Sequence, residues 1–255
     1  MGIILSSSRG NYIRKELKKR HPNPGNLIII TKKGGQLDEL AAMLKEFFKR
    51  VPQRERSQCH VYFLAGLCDL TYRDVDPEYK FNMNQNCYEP YEEVIFMETP
   101  AEANLRLFEI AQRVSDGVIK QGARPCFATV VPCSLSVWNN IRLNQQVTSF
   151  LLHNKYYEDM QHALIEATLE VNRDLVAINT RNQMCTPYIG STVIVNEGNQ
   201  KHRVYYKKLS DGVHPTWKTA KIWAKKMVKT MSKNRARSFI PMHITQHEES
   251  ESDTD

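Results

Sequence analysis

Gly2-Ile3-Ile4-Leu5-Ser6-Ser7-Ser8-Arg9-Gly10 opens the chain with a short, continuously apolar run that breaks into small polar residues. A strand buried on both faces reads this way, because neither face meets water. Three similar runs follow: Asn26 to Ile30 after the turn sequence Pro22-Asn23-Pro24-Gly25, then His60 to Leu64, then Cys126 to Val131. Helical stretches separate them, at Asn11 to Arg20, Leu37 to Arg50, Pro100 to Gln121, Tyr156 to Thr180 and Trp217 to Met231. In the second of these, Leu37, Leu40, Ala41, Leu44, Phe47 and Phe48 fall on one side, the stripe that an amphipathic helix buries. A further strand is expected at Ser191 to Val195. Buried strands alternating with helices predict an α/β protein, a three-layer α/β/α sandwich around a mostly parallel sheet of about five strands.

A single domain over residues 1–240 fits the 255-residue length, with 41% hydrophobic and 25% charged residues. Residues 74–98, rich in Asn, Tyr, Glu and Pro, read as an irregular insertion, ending in a short strand at Val94-Ile95-Phe96. No apolar run approaches the twenty residues of a membrane span, and no charged-then-apolar leader opens the chain. Six cysteines without CxxC spacing argue for free thiols and an intracellular setting, cytoplasmic or nuclear. His243 and His247 have the spacing of a helical metal pair but no matching second pair, so neither a metal nor a cofactor is expected. Nor is there a Walker or dinucleotide glycine pattern.

The formal net charge is +7, and it is unevenly spread. Glu248, Glu249, Glu251, Asp253 and Asp255 crowd an acidic tail, residues 241–255, expected to be disordered. Without those five, 23 acidic residues face 35 basic ones, for +12. Trp217, Ala220, Ala224, Met227, Val228 and Met231 make an apolar stripe on the last helix, and Lys218, Lys221, Lys225 and Lys229 recur on another face. Arg14, Lys15, Lys18, Lys19 and Arg20 cluster on the first helix. Such faces suit a solvated surface or a phosphate backbone, and a nucleic acid is a candidate partner, with the tail competing for the same surface.

On a parallel sheet, ligands bind beyond the carboxyl ends of the strands. The residues there are Ser6-Ser7-Ser8, then Lys32-Lys33-Gly34-Gly35, then Gly66-Leu67-Cys68-Asp69, then Pro132-Cys133-Ser134. Ahead of the last helix stands Asp211-Gly212-Val213-His214-Pro215, in which an aspartate three residues before a histidine can turn its carboxylate onto the imidazole. Each segment has a plainer reading: a serine triplet as a helix cap, a glycine pair as a turn, an Asp-x-x-His as a cap beside a surface histidine.

Taken in order, these segments resemble the motifs of the SGNH hydrolases, the GDSL esterase and lipase superfamily, over roughly residues 2 to 232. That family carries Gly-Asp-Ser after the first strand, a glycine after the second, Gly-x-Asn-Asp after the third and Asp-x-x-His before the last helix. The looser forms here are also similar to esterase-like domains of mobile-element proteins. The resemblance implies a flavodoxin-like fold and a serine hydrolase of ester bonds, with acetyl and other short acyl groups as candidate substrates. Ser8 would be the nucleophile, His214 the base and Asp211 its orienter. The Ser8 amide and that of Gly35 (or Gly34) would hold the oxyanion, with Gly66 and Cys68 beside them and Asp69 fixing the loop. Three positions depart from the pattern: Ser6 for glycine, Ser7 for aspartate and Cys68 for asparagine. The alternative is a catalytically impaired module of the same fold, of mobile-element or viral ancestry, that binds nucleic acid or protein.

Overall fold

The computed structural model describes residues 1–82, 87–142, 150–196 and 202–237. The acidic tail and the His243/His247 pair lie outside them. In chain order the elements are β1 (Gly2–Ser6), α1 (Arg9–Arg20), β2 (Leu27–Thr31), α2 (Leu37–Phe48), α3 (Gln53–Arg56), β3 (His60–Leu64), α4 (Leu67–Leu70), β4 (Tyr72–Asn82), β5 (Cys87–Ile95), α5 (Pro100–Lys120), β6 (Arg124–Phe127), α6 (Leu135–Arg142), α7 (Phe150–Arg181), β7 (Ile194–Asn196), β8 (His202–Val204) and α8 (Trp217–Arg237).

The central sheet is parallel with strand order β2-β1-β3-β6. It has four strands rather than about five, because Ile194–Asn196 leaves the sheet and pairs antiparallel with β8. Alternation along each strand builds two cores. Ile3, Leu5, Val61, Phe63 and Phe127 face α2, α5 and α7, where Leu44, Leu107, Ala111 and Leu175 meet them. Ile4, Tyr62, Leu64 and Cys126 face α1 and α8, against Ile13, Leu17, Trp223 and Met227. This is the α/β/α arrangement, and both faces of the strands are covered.

The chain leaves β1 for β2 on one side and reaches β3 on the other, so the carboxyl ends of β1 and β3 diverge above a crevice. Helix starts around it are locally specified. Gln36 and Glu39 form a reciprocal capping box at α2, and Thr99 and Glu102 form another at α5.

Two expected elements differ. The fourth strand ends at Phe127, not Val131, although residues 128 to 131 stay buried. The α7 side chains account for this. Asn179 brackets Phe127, accepting its N–H at 2.8 Å and donating to its carbonyl at 2.7 Å, and Asn172 does the same to Val130 at 2.6 and 3.0 Å. Asn179 thus satisfies Phe127 on the free edge of β6, and Asn172 satisfies Val130 in the buried segment beyond it, without a fifth strand. The second difference is residues 74–98, which hold an antiparallel pair rather than irregular chain. The register shifts between Asp76 and Lys80, around Pro77, which cannot donate to a ladder.

Candidate active site

The serine triplet divides by local geometry. Ser6 ends β1 and donates its hydroxyl to the Leu64 carbonyl at 2.9 Å, tying the first strand to the third. Ser7 is buried. Ser8 occupies the N-cap position of α1 but makes no side-chain cap hydrogen bond. Its Oγ lies instead 2.8 Å from His214 Nε2, across 206 positions of sequence. The His214 Nδ1 lies 2.6 Å from Asp211 Oδ2.

Asp211 is held on its own side. Its Oδ1 accepts the N–H of Val213 at 3.0 Å and that of His214 at 2.7 Å, which folds Asp211-Gly212-Val213-His214 into a turn. Gly212 has φ +81°, and a β-carbon there would crowd the Ser134 carbonyl and Trp138. Burial pushes the Asp211 carboxyl up, but the hydrogen bonds from His214 and Val213 outweigh it and hold the group below the ordinary aspartate range. The imidazole, 9% exposed, stacks on Tyr12 with ring centroids 4.6 Å apart and meets the edge of Trp138 at 5.7 Å.

Arg9 joins the first loop to the last. Its side chain is buried, with Nε donating to the Val213 carbonyl at 3.0 Å and Nη1 to the Val131 carbonyl at 2.6 Å. Burial lowers its pKa from the usual guanidinium range. Three strand-end loops, those of β1, β6 and the Asp-x-x-His turn, thus converge on one side chain.

The site opens into a cleft of about 700 Å³ whose lining includes Ser8, Asn11, Tyr12, Gly34, Gln36, Cys68, Trp138 and His214. Gly34, with φ +66°, faces this space. Gly35 is not among the lining residues, and its N–H donates to the Lys32 carbonyl at 3.1 Å, closing the turn. Gly66, with φ +110°, turns the chain from β3 into α4, where a β-carbon would come within 2.6 Å of Val130 Cγ2. Cys68 lines the cleft, and its carbonyl accepts the Gln36 amide at 3.2 Å. Asp69 points away from the cleft and accepts the Leu37 N–H at 3.0 Å, anchoring the start of α2.

Asp69 has a consequence for stability. Burial pushes its carboxyl up to about 6, against the pull of the Leu37 N–H and of Arg106. Its folded value exceeds its unfolded one, so its contribution to stability is fully present below the unfolded value and is lost as pH rises through about 6. That displacement is worth on the order of 3 kcal/mol. Asp69→Asn can still accept from Leu37 and is expected to remove that part of the slope in urea unfolding between about pH 4 and about pH 7. An unchanged slope would show that Asp69 titrates normally.

Sequence reading missed Arg9, Tyr12, Gln36 and Trp138. Tyr12 carried a usable signal, lying one helical turn beyond Ser8 and therefore over the same face. Arg9 and Trp138 carried none, since each acts through segments distant in sequence. The basic residues Lys218, Lys221, Lys225 and Lys229 lie on the exposed side of α8, outside the cleft. Among the described residues no helix is long and apolar enough to cross a membrane.

No protein-family model matches the chain, and neither does any curated protein. Solved structures do. A GDSL-like lipase from Bacteroides thetaiotaomicron superposes with a TM-score of 0.54 at 12% identity, covering 93% of this chain and 88% of that one. A member of the lipolytic G-D-S-L family from Veillonella parvula gives a TM-score of 0.52 at 9% identity, covering 91% and 98%. With its four-stranded parallel sheet between helical layers, this chain has the fold of the GDSL-like SGNH hydrolases.

Proposed function

We propose that the cleft hydrolyses carboxylic esters through Ser8, His214 and Asp211. The observation that carries this reading is the unbroken run of contacts from Ser8 Oγ to His214 Nε2 at 2.8 Å and from His214 Nδ1 to Asp211 Oδ2 at 2.6 Å. An unassisted serine hydroxyl attacks poorly, and a hydrogen-bonded imidazole removes its proton as attack proceeds. Ser8 Oγ bonds to the ester carbonyl carbon while its proton passes to His214 Nε2. The tetrahedral intermediate then collapses, the carbon–oxygen bond to the alcohol breaks, and His214 returns the proton to the leaving oxygen. Water repeats the sequence on the acyl-serine, His214 taking its proton and handing it back to Ser8 as the acid departs.

Asp211, fixed by two backbone N–H groups, holds the ring with Nε2 toward the serine and balances the imidazolium that forms. The Ser8 amide, at the start of α1, and the Gly34 amide are the proposed oxyanion donors, and the helix dipole adds to the first. Tyr12 and Trp138 close two sides of the imidazole and restrict its rotation. The direct test is a fluorophosphonate probe followed by peptide mass spectrometry. Label on the peptide containing Ser8, prevented by His214→Ala, is the expected result; a chain that takes up no label would end this reading.

A further inference from the structure

Helix α8 has eight basic residues and no acidic one. Its buried face, with Trp223, Ala224, Met227 and Met231, packs against the sheet and α1. Opposite lie Lys218, Lys221, Lys225, Lys229 and Lys233, all exposed, in one row along the helix. Among the described residues none of the five has a carboxylate within ion-pair distance. Like charges four residues apart weaken a helix, so Lys221, Lys225, Lys229 and Lys233 act against their own element. The neighbouring α1 continues the surface with exposed Lys15, Lys18 and Lys19.

At the head of the row stands Trp217, which does not join the buried stripe the sequence suggests: it is 65% exposed, with the Lys221 ammonium 4.4 Å from its ring centroid and that of Lys218 at 5.7 Å. Leaving an indole in water forgoes a large apolar burial. We infer that this face binds single-stranded nucleic acid, phosphates along the lysine row and a base stacked on Trp217. Steps of three or four residues set these lysines about 4.5–6 Å apart along the axis over a row of about 22 Å, a spacing that suits successive phosphates of an extended strand. An aromatic platform beside a cationic track is how single strands are held without sequence preference. An anionic bilayer fits less well, because the centre of the exposed face is lysine and only Trp217 and Ile222 offer large apolar groups on this helix. The inference stands independently of ester hydrolysis, since none of these residues lines the cleft.

The test measures anisotropy of a labelled oligouridylate with the full chain across a range of KCl, beside vesicles of phosphatidylcholine and phosphatidylserine. Five phosphate contacts predict a slope of log K against log salt of about −3.5, or a loss of roughly a hundredfold between about 50 and about 200 mM. Combined Lys221→Glu, Lys225→Glu and Lys229→Glu should weaken binding by about a hundredfold or more and flatten the slope. Trp217→Ala should weaken it by roughly tenfold with the slope retained. Circular dichroism reports whether each variant folds, and the same three lysines changed to Gln repeat the test if the reversal does not. Absent binding at low salt, charge variants that match the parent, or capture by the vesicles in preference to the oligonucleotide would each overturn the inference.

Discussion

Ser8→Ala is expected to lower kcat for a nitrophenyl acetate ester by on the order of 10⁴-fold or more, with the fold unchanged. No neighbour can take over. Ser6 spends its hydroxyl on the Leu64 carbonyl, and Ser7 is buried. The hydroxyl removed makes no cap hydrogen bond for α1, so helix stability should not fall with activity. His214→Ala should cost about as much, and the double variant little more, because nucleophile and base act as one unit. Asp211→Asn is a sharper probe of mechanism. An asparagine oxygen can still accept from Val213 and His214 backbone, so the turn is kept while the carboxylate that orients the ring is lost. Its kcat should fall by roughly 10⁴-fold with thermal stability largely retained. Equal turnover by the parent and Ser8→Ala would remove the hydrolase reading, whatever the other variants do.

The sheet was legible because strands buried on both faces leave a plain trace. The strands expected at Gly2 to Leu5, Asn26 to Ile30 and His60 to Leu64 lie within a residue of the observed ones. The order of motifs after those strands also pointed to the residues that meet in space, Ser8, Asp211 and His214. What failed had physical causes. The apolar run from Cys126 to Val131 could not be divided, because burial and strand pairing give the same sequence pattern. Here Asn172 and Asn179, more than forty positions away, supply what a strand neighbour would. The β4 and β5 pair was hidden by Pro77 and Pro90, residues that normally argue against strands.

At the site, sequence order pointed to side chains that meet but not to what supports them. A glycine pair after β2 does not tell which amide is already engaged; the turn geometry, with Gly35 bonded to the Lys32 carbonyl, does. Arg9 shows the same limit more strongly. Adjacent to Ser8 in sequence, it carries no mark of its role, yet it is buried and spans to the Val131 and Val213 carbonyls. The charge that dominates the chain's composition is therefore divided between two tasks. One arginine is internal scaffolding for the three loops, and the lysines of α8 face outward.

Cys68→Asn is the second large effect expected, and it is a gain. The resemblance places an asparagine at this position, and its amide donates to the oxyanion where a thiol donates weakly. Loss of one such donor costs about 2.7–4 kcal/mol in the transition state, so its return should raise kcat by up to roughly a hundred- to thousand-fold. The site can receive it. Cys68 already lines a cleft of about 700 Å³, and its backbone is fixed by the Gln36 amide on its carbonyl and by α4. Asp69 next to it holds the start of α2 through Leu37, so the loop that carries the new amide is anchored on both sides. A donor that acts on the oxyanion improves kcat more than KM, because the substrate carbonyl carries little of that charge in the ground state. Cys68→Ser separates donation from size, and its smaller hydroxyl should recover only part of the gain. If Cys68→Asn folds normally and leaves kcat unchanged, residue 68 does not face the developing charge, and the oxyanion must be held by Ser8 and Gly34 alone.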